Sequence, residues 1–407
     1  MKQGILIIHD NSCNTNVLIE KIQSNEFPQL SLDTSQQIRI FSPKVLEAFI
    51  QEEEIHERNV FGTSNQPIKT LSGGEQKKAL LNYLIAAQPA VLILDNPFDH
   101  LDIQAQKELS NRLETIATTI QLILILSRTT DIPKFIKQKY SATNNTLVAY
   151  TNNNTANTIV KDIAIPTPIE PQEYGYNYLI QCKNINVTYQ DKPILNNITW
   201  NIKPGEFWQL TGPNGSGKTT LLSMITGDNV KGYGQELYIF GKRKGTGESV
   251  WDVKKSIGYF TTNLTQQFKG RYTAEQMIIG GFFDAIGLYN KPTDVQKQKA
   301  AQWLNVLGME NQKNTLFRNL PLGAQRMIMI ARAMVKHPLL LILDEPTTGL
   351  DDHNANLLVT FINKIAAESN TTILYVSHRA EKGLTPDHTF TLTKTSEGSI
   401  GNIINSI

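Results

Sequence analysis

A glycine-rich segment in the second half of this 407-residue chain has the residue types needed to hold a phosphate. It reads GPNGSGKT at 212–219, follows the apolar run 207–210 and precedes a helix predicted at 220–225. Strand, glycine loop and helix in this order let backbone N–H groups turn toward a phosphate at the helix N-terminus. We therefore predict that the nucleotide is bound by Gly212, Pro213, Asn214, Gly215, Ser216, Gly217, Lys218, Thr219 and Thr220.

Two adjacent carboxylates and a histidine supply the chemistry that would accompany such a loop. The apolar run LLLILDEP at 339–346 ends in Asp344 and Glu345, and His378 follows the apolar run 373–376. Ligands of α/β sheets bind at the carboxyl ends of the strands. We expect Asp344 and Thr219 to hold Mg²⁺, Glu345 to orient the attacking water, and His378 to donate to the γ-phosphate. Lys218 would contact the β- and γ-phosphates, so the pattern predicts ATP hydrolysis with Mg²⁺ as cofactor.

An internal repeat divides the chain into two unequal halves. The segment beginning LSGGEQKKAL at Leu71 aligns with the segment beginning LPLGAQRMIM at Leu320, 249 positions later. In each copy the pattern predicts a helix, followed after a proline by a buried strand that ends in a carboxylate, and then a second helix and strand. Strands that are apolar on successive residues are typical of parallel sheets covered on both faces. The predicted fold class is α/β, with two related units in tandem.

The motifs together resemble those of ABC-type ATPases. GPNGSGKT, LSGGE at 71–75, LLLILDEP, GLD at 349–351 and SHR at 377–379 are similar to the phosphate loop, signature, Walker B motif, D-loop and H-loop of that family. More narrowly, the chain resembles the ModF and photorepair-protein branch, which is associated with molybdenum operons. The resemblance implies two P-loop ABC ATPase domains and makes Tyr189 the aromatic that stacks on adenine. An exposed strand tyrosine is the alternative for Tyr189.

Aligned against each other, the halves are degraded in complementary ways. Matching 8–19 to 211–222 places Thr15 at the position of Lys218, and the repeat places Asn96 at the position of Glu345. Because an amide is not a useful proton acceptor, we expect no hydrolysis by the first half. In the second half, Pro321 stands where the first half has Ser72 of the signature. The first half also has 46 fewer residues between its loop and its signature, which corresponds largely to a helical subdomain.

The resemblance implies head-to-tail pairing, in which each nucleotide lies between the phosphate loop of one half and the signature of the other. The intact loop would then meet the intact signature residues Ser72, Gly73 and Gly74, with Ser72 counted among the catalytic residues. Asp102 of the first D-loop is expected to reach into the same site. The degraded loop would meet the degraded signature. We therefore predict an intramolecular sandwich with one hydrolytic site.

Composition and linker sequence set the remaining expectations. We predict a truncated, degenerate ABC ATPase half over 1–140, an Asn-, Thr- and Pro-rich linker over 141–176, and a full ABC ATPase domain over 177–407. A net charge of +2 gives no strong nucleic-acid signal, and two cysteines far apart favour a reducing compartment. No apolar stretch approaches the length of a membrane helix. The expected location is cytoplasmic or peripheral to the inner membrane.

Two functions fit these features. The first is a soluble ATPase that binds Mg-ATP between its halves and uses hydrolysis to open and close them. The alternative is the ATP-binding, energising subunit of a membrane transporter, with molybdate-type import as one case. The 46-residue deficit counts against the alternative, as does Thr262, since transporter ATPases usually carry a glutamine that senses the γ-phosphate there. Gln266 and Gln267 lie close enough in sequence to leave the alternative open.

Overall fold

The computed structural model divides the chain into two compact units. It describes residues 4–32, 37–56, 67–71, 73–150, 162–170, 175–247, 249–268, 270–284, 290–379 and 381–405. Unit 1 comprises Met1–Ala156 with the short segment Thr348–Asn354, and unit 2 comprises Asn157–Thr347 with Ala355–Ile407. Each unit contains a six-stranded sheet.

Unit 1 is an α/β sandwich around a nearly parallel sheet. Its elements are β1 (Ile5–His9), α1 (Thr15–Gln23), β2 (Ile38–Phe41), α2 (Pro43–His56), α3 (Gly73–Ala86), β3 (Val91–Asp95), α4 (Ile103–Ile116), β4 (Gln121–Leu126), β5 (Gln138–Thr143) and β6 (Thr146–Ala149). The strand order is β2-β3-β4-β1-β5-β6, and all neighbours are parallel except β5 and β6. Strands β3 and β4 are apolar on consecutive residues because both of their faces are buried.

Unit 2 repeats this sheet and adds an antiparallel one. Its elements are β7 (Ile180–Tyr189), β8 (Lys192–Ile202), β9 (Phe207–Thr211), α5 (Lys218–Ile225), β10 (Glu236–Ile239), β11 (Lys242–Arg243), α6 (Val250–Lys255), β12 (Ile257–Thr261), α7 (Thr262–Gln267), α8 (Ala274–Ile279), α9 (Asp294–Val306), α10 (Leu322–Met334), β13 (Leu340–Asp344), α11 (Asp352–Glu368), β14 (Thr372–Val376), β15 (His388–Thr393) and β16 (Ile400–Asn405). The large sheet runs β12-β13-β14-β9-β15-β16, the same order as in unit 1, and the small sheet runs β11-β10-β7-β8. The predicted α/β class is confirmed.

The small antiparallel sheet of unit 2 is held against the large sheet by an aromatic cluster. The Trp200 ring stacks on Phe390 at a centroid distance of 4.4 Å and meets Trp208 edge-on at 5.5 Å. All three rings are buried in one apolar core. Such aromatic contacts stabilise beyond simple area burial. They position β7 and β8 beside the loop that follows β9.

The units differ most between the first helix and the helix that follows the signature position. In unit 2 this stretch contains α6 to α9, of which α8 packs on both α9 and α10. In the described residues of unit 1 it contains one strand and one helix, β2 and α2. Within the described ranges, no helix has the length and apolar character needed to cross a membrane.

The structure differs from the expected linker at its start. Residues 141–149 complete β5 and form β6, so they belong to the first sheet. Asn144 and Asn145 both have positive φ, +51° and +58°, as the two central residues of a tight hairpin turn require. Their asparagine content therefore marks a β-hairpin. The later residues 151–161 and 171–174 of the expected linker lie outside the described residues.

Candidate functional site

The glycine loop of unit 2 connects β9 directly to α5. The helix begins at Lys218, two residues before the predicted start, and Gly217 caps it with φ of +94°. A Cβ atom on Gly217 would lie 2.5 Å from Leu195 Cδ2 of β8. Positive φ and close packing together require glycine at this turn. The sharp turn brings the start of the helix to the carboxyl end of the sheet.

Lys218 and Ser216 have the environment expected of phosphate-binding residues. The Lys218 ammonium donates to the carbonyl oxygens of Gly212 and Pro213 at 2.6 and 3.1 Å, so the side chain folds over the loop. Ser216 is fully buried, and its Oγ has no hydrogen-bond partner among the described residues. A buried hydroxyl without a partner is costly unless a ligand supplies one. The loop therefore fits an anionic group held against its backbone.

Glu345 and His378 are brought together by neighbouring strands. Glu345 follows β13 with φ of +49°, and its N–H donates to Val376 O of β14 at 2.9 Å. His378 Nδ1 lies 3.0 Å from Glu345 Oε1 and donates to it. His378 Nε2 is buried without a partner in the described part of the chain. The contact orients the carboxylate that was predicted to act on water and leaves the second ring nitrogen for another group.

Asp344 is a carboxylate in an environment that disfavours its charge. Burial and, to a smaller extent, the neighbouring Glu345 carboxylate raise the pKa of Asp344 to about 6, although the Lys218 ammonium acts in the opposite direction. A divalent cation would relieve this repulsion. The described residues contain no cluster of three or more His, Cys, Asp or Glu side chains suited to a metal. A Mg²⁺ ion held by Asp344 and Thr219 would therefore take its remaining ligands from phosphate oxygens and water, as Mg²⁺ commonly does.

One supporting pair in this region was missed from the sequence. Gln209 of β9 is buried, and its Nε2 donates to Ser377 Oγ at 3.0 Å. Ser377 Oγ in turn donates to Arg379 O at 2.6 Å. The pair ties the strand before the phosphate loop to the turn that carries His378. A glutamine inside an otherwise apolar strand was the available signal, because buried polar groups need partners.

In unit 1 the N–H groups of the equivalent loop donate to side chains of unit 1 itself. Ser12 N donates to Asp10 Oδ1 at 3.0 Å, and Asn14 Oδ1 accepts from the N–H groups of Asn16 and Val17 at 3.0 and 3.4 Å. Asn14 N donates to Asn145 Oδ1 at 2.9 Å. The amides that would face a phosphate are thus already bonded to side-chain oxygens.

Asn96 of unit 1 has the backbone geometry of Glu345 but different chemistry. Its φ is +41°, and its N–H donates to Ile125 O at 2.9 Å, as Glu345 does to Val376. The Asn96 amide is used internally, since Oδ1 accepts from Ser127 N at 2.9 Å and Nδ2 donates to Asp95 Oδ1 at 3.1 Å. The side chain satisfies the local backbone and has no basic atom to offer a water.

The signature and D-loop residues of unit 1 lie at helix starts. Gly73 and Gly74 are the first residues of α3, and Asp102 caps α4 by accepting from Ala105 N at 2.9 Å. Ser72 lies outside the described residues. In unit 2, Pro321 caps α10 at the corresponding position. The meeting of the unit 1 signature with the unit 2 loop stays a prediction.

Tyr189 and Thr262 complete the residues singled out from the sequence. Tyr189 ends β7, is 40% exposed, and accepts a hydrogen bond from Asn229. The role of Asn229 was not predicted from the sequence. Thr262 is the first residue of α7, which Thr261 caps. The side chains of Gln266 and Gln267 lie outside the described residues.

Comparison with known proteins agrees with this geometry. The model of the family described as ABC transporter matches residues 195–348. The chain is 39% identical to the ABC transporter ATP-binding protein ModF of Escherichia coli K12, over 77% of this chain and 67% of that protein. It is 28% identical to an uncharacterized ABC transporter ATP-binding protein of Schizosaccharomyces pombe, over 76% and 65% of the two chains.

Among solved structures, an archaeal ribosome recycling factor in complex with a ribosomal stalk protein shares the fold. Its TM-score is 0.62 at 13% sequence identity, and the match covers 98% of this chain and 85% of that one. The chain spans about two thirds of the length of the two curated relatives above. Together with the phosphate loop and the carboxylates at the strand ends, the 39% identity shows that this chain belongs to the family of ABC-type ATP-binding proteins.

Proposed function

We propose that the chain is an ATPase with one hydrolytic site, in which unit 2 binds Mg-ATP and unit 1 supplies the signature residues. The observation that carries this proposal is the contact of 3.0 Å between His378 Nδ1 and Glu345 Oε1, beside the loop that holds Lys218. The matching position of unit 1 holds Asn96, whose amide is already bonded to Ser127 and Asp95.

In the proposed reaction, a water oxygen bonds to the γ-phosphorus while the bond from that phosphorus to the β–γ bridging oxygen breaks. Glu345 accepts the proton that the water loses, and ADP and phosphate leave. Mg²⁺ neutralises developing charge on the phosphate oxygens when it is bound. Lys218 holds the triphosphate, and His378 keeps Glu345 oriented through Nδ1. Its buried Nε2 can donate to the γ-phosphate when both ring nitrogens carry a proton.

Pairing of the halves is the second element of the proposal. It is supported by the segregation of intact motifs: the loop, Asp344 and Glu345 in unit 2, and LSGG at 71–74 in unit 1. ATP bound at the loop would draw the signature toward the γ-phosphate, and hydrolysis would release it.

Energising a membrane transporter is a second candidate function, favoured by a groove in unit 2. The groove has a volume of about 470 Å³ and lies beside α7. It is lined by Trp251, whose side chain is 75% exposed, and by Tyr259, Phe268 and Met329. A short helix from a membrane partner would cover the exposed Trp251 ring, whereas Phe268 and Met329 are already buried in the wall of the groove.

Nucleotide stoichiometry tests the single site. We expect one ATP bound per chain, and we expect Lys218→Ala to abolish binding because it removes the charge that holds the triphosphate. Thr15→Ala, the matched change in unit 1, should leave binding unchanged. Equilibrium dialysis with labelled ATP measures both. Two nucleotides per wild-type chain, or loss of binding in Thr15→Ala, would contradict the proposal.

Removal of the base tests the assignment of Glu345. Glu345→Gln should lower the turnover of ATP roughly 100-fold or more while retaining bound ATP. Glu236→Gln, the same change at an exposed strand position, is the control and should turn over normally. Phosphate release and retained nucleotide are measured together, and unchanged turnover in Glu345→Gln would exclude this residue as the base. Co-purification of a membrane protein with the trapped variant would favour the transporter candidate.

The composite site is tested from the half that lacks a phosphate loop. Ser72→Arg should abolish turnover with little effect on ATP affinity, because the arginine would prevent closure on the γ-phosphate. Pro321→Arg changes the degraded signature in the same way and should leave turnover within about twofold of wild type. Full activity of Ser72→Arg would disprove the sandwich.

The raised pKa of Asp344 makes a prediction about stability. A carboxyl with a pKa of about 6 in the folded state, above its ordinary 3.8, lowers stability progressively as the pH rises from about 3.8 to 6, and the cost is constant above that range. Asp344→Asn should therefore raise the free energy of unfolding by about 3 kcal/mol at pH 7.5, without nucleotide or Mg²⁺, and by progressively less as the pH falls from 6 toward 3.8. Chemical denaturation across pH measures this, with the exposed Asp294→Asn as control. A gain that did not vary with pH would refute the assignment.

A further inference from the structure

The hydroxyl of Tyr189 is held by a single side chain of unit 2. Asn229 Nδ2 donates to Tyr189 Oη at 2.8 Å. Asn229 lies in the connection between α5 and β10, 40 residues along the chain from Tyr189. The Lys231 ammonium lies 5.5 Å from the centre of the Tyr189 ring, on one of its faces. A side chain that is 40% exposed is thus restrained both at its tip and on a face.

Asn229 is itself fixed to the helix that begins at Lys218. Its Nδ2 also donates to Ser223 Oγ at 3.0 Å, and its backbone N–H donates to Ser223 O at 3.0 Å. Ser223 Oγ donates to Thr220 O at 2.9 Å, one turn back in α5. The Asn229 Oδ1 atom accepts from Lys231 N at 2.9 Å. A continuous set of hydrogen bonds therefore joins the phosphate-loop helix to the tyrosine hydroxyl.

This arrangement has a consequence for binding a nucleotide. An exposed tyrosine without these bonds would sample several rotamers, and a base that stacked on it would have to restrict them. A ring held in place before binding removes that cost. Because α5 carries both Lys218 and Ser223, the ring is also held in register with the triphosphate site.

We propose that Asn229 is a positioning residue, which orients the ring of Tyr189 for stacking on the adenine of a nucleotide whose phosphates are held by the loop at 212–219. This inference rests on the proposed function, since it requires ATP to bind at that loop. Asn229 contacts no part of the nucleotide and acts through Tyr189.

The test compares ATP with inorganic tripolyphosphate, which has the phosphates but no base. Asn229→Ala should weaken ATP binding about 3- to 10-fold and leave tripolyphosphate binding unchanged. Tyr189→Ala should weaken ATP binding roughly 5- to 100-fold, in the range of base stacking on an aromatic ring. In the double variant, Asn229→Ala should add no further loss, because its effect passes through the ring. Isothermal titration calorimetry on the full chain supplies all the dissociation constants.

The controls separate positioning from folding. Asn186→Ala removes an exposed asparagine of β7 and should leave both affinities unchanged. An equal loss of ATP and tripolyphosphate binding in Asn229→Ala would show a structural role and overturn the inference. So would an undiminished effect in the Tyr189→Ala background, or unchanged ATP binding. A wild-type chain that bound neither compound would instead overturn the proposed function itself.

Discussion

The difference between the two units depends on which atoms accept hydrogen bonds from the backbone N–H groups of one turn. A turn from a buried parallel strand into a helix leaves several donors without partners inside the helix. In unit 2 the glycine loop before Lys218 contains a buried Ser216 hydroxyl that has no partner in the described part of the chain, which leaves this group for a ligand. In unit 1, Asp10 and Asn14 provide the acceptors from within the chain. The same turn therefore leaves a polar group for a ligand in unit 2, whereas in unit 1 its N–H groups are bonded to side chains of the chain itself.

Apart from this turn, the large sheets of the two units are closely similar. Both sheets have the same strand order. Glu345 and Asn96 each have a positive φ, and each donates a backbone hydrogen bond to the neighbouring strand. Exchange of one carboxylate for an amide leaves this geometry in place, because the amide oxygen can accept from Ser127 N. The fold accommodates either side chain, since in both units the strained backbone position is supported by a backbone hydrogen bond to the neighbouring strand.

Two adjacent carboxylates give the site of unit 2 an electrostatic cost. Asp344 and Glu345 are adjacent at the end of β13, and burial raises the pKa of Asp344. This cost is typical of sites that place like charges where a cation and a phosphate will later bind. Lys218, folded over its own loop, offsets part of that charge.

Much of the fold and the site could be predicted from residue order. The strands before Asp344 and Glu345, the glycine loop and the repeat were apparent because buried parallel strands and tight turns restrict residue types locally. The hairpin at Asn144 and Asn145 was assigned to a linker, because composition alone does not separate a turn between strands from an irregular segment. The helix boundary at Lys218 was missed by two residues for a similar reason, since helix ends depend on capping geometry.

The sequence by itself determined which half carries the phosphate loop, the carboxylates and the intact signature, because those assignments follow from residue type and spacing. Only the tertiary structure decided how those groups are held. The contact of His378 with Glu345, the pairing of Gln209 with Ser377 and the bonds from Asn229 to Tyr189 join residues 33 to 168 positions apart. Such contacts exist only once the strands and helices have packed, since sequence spacing does not specify which distant side chains meet.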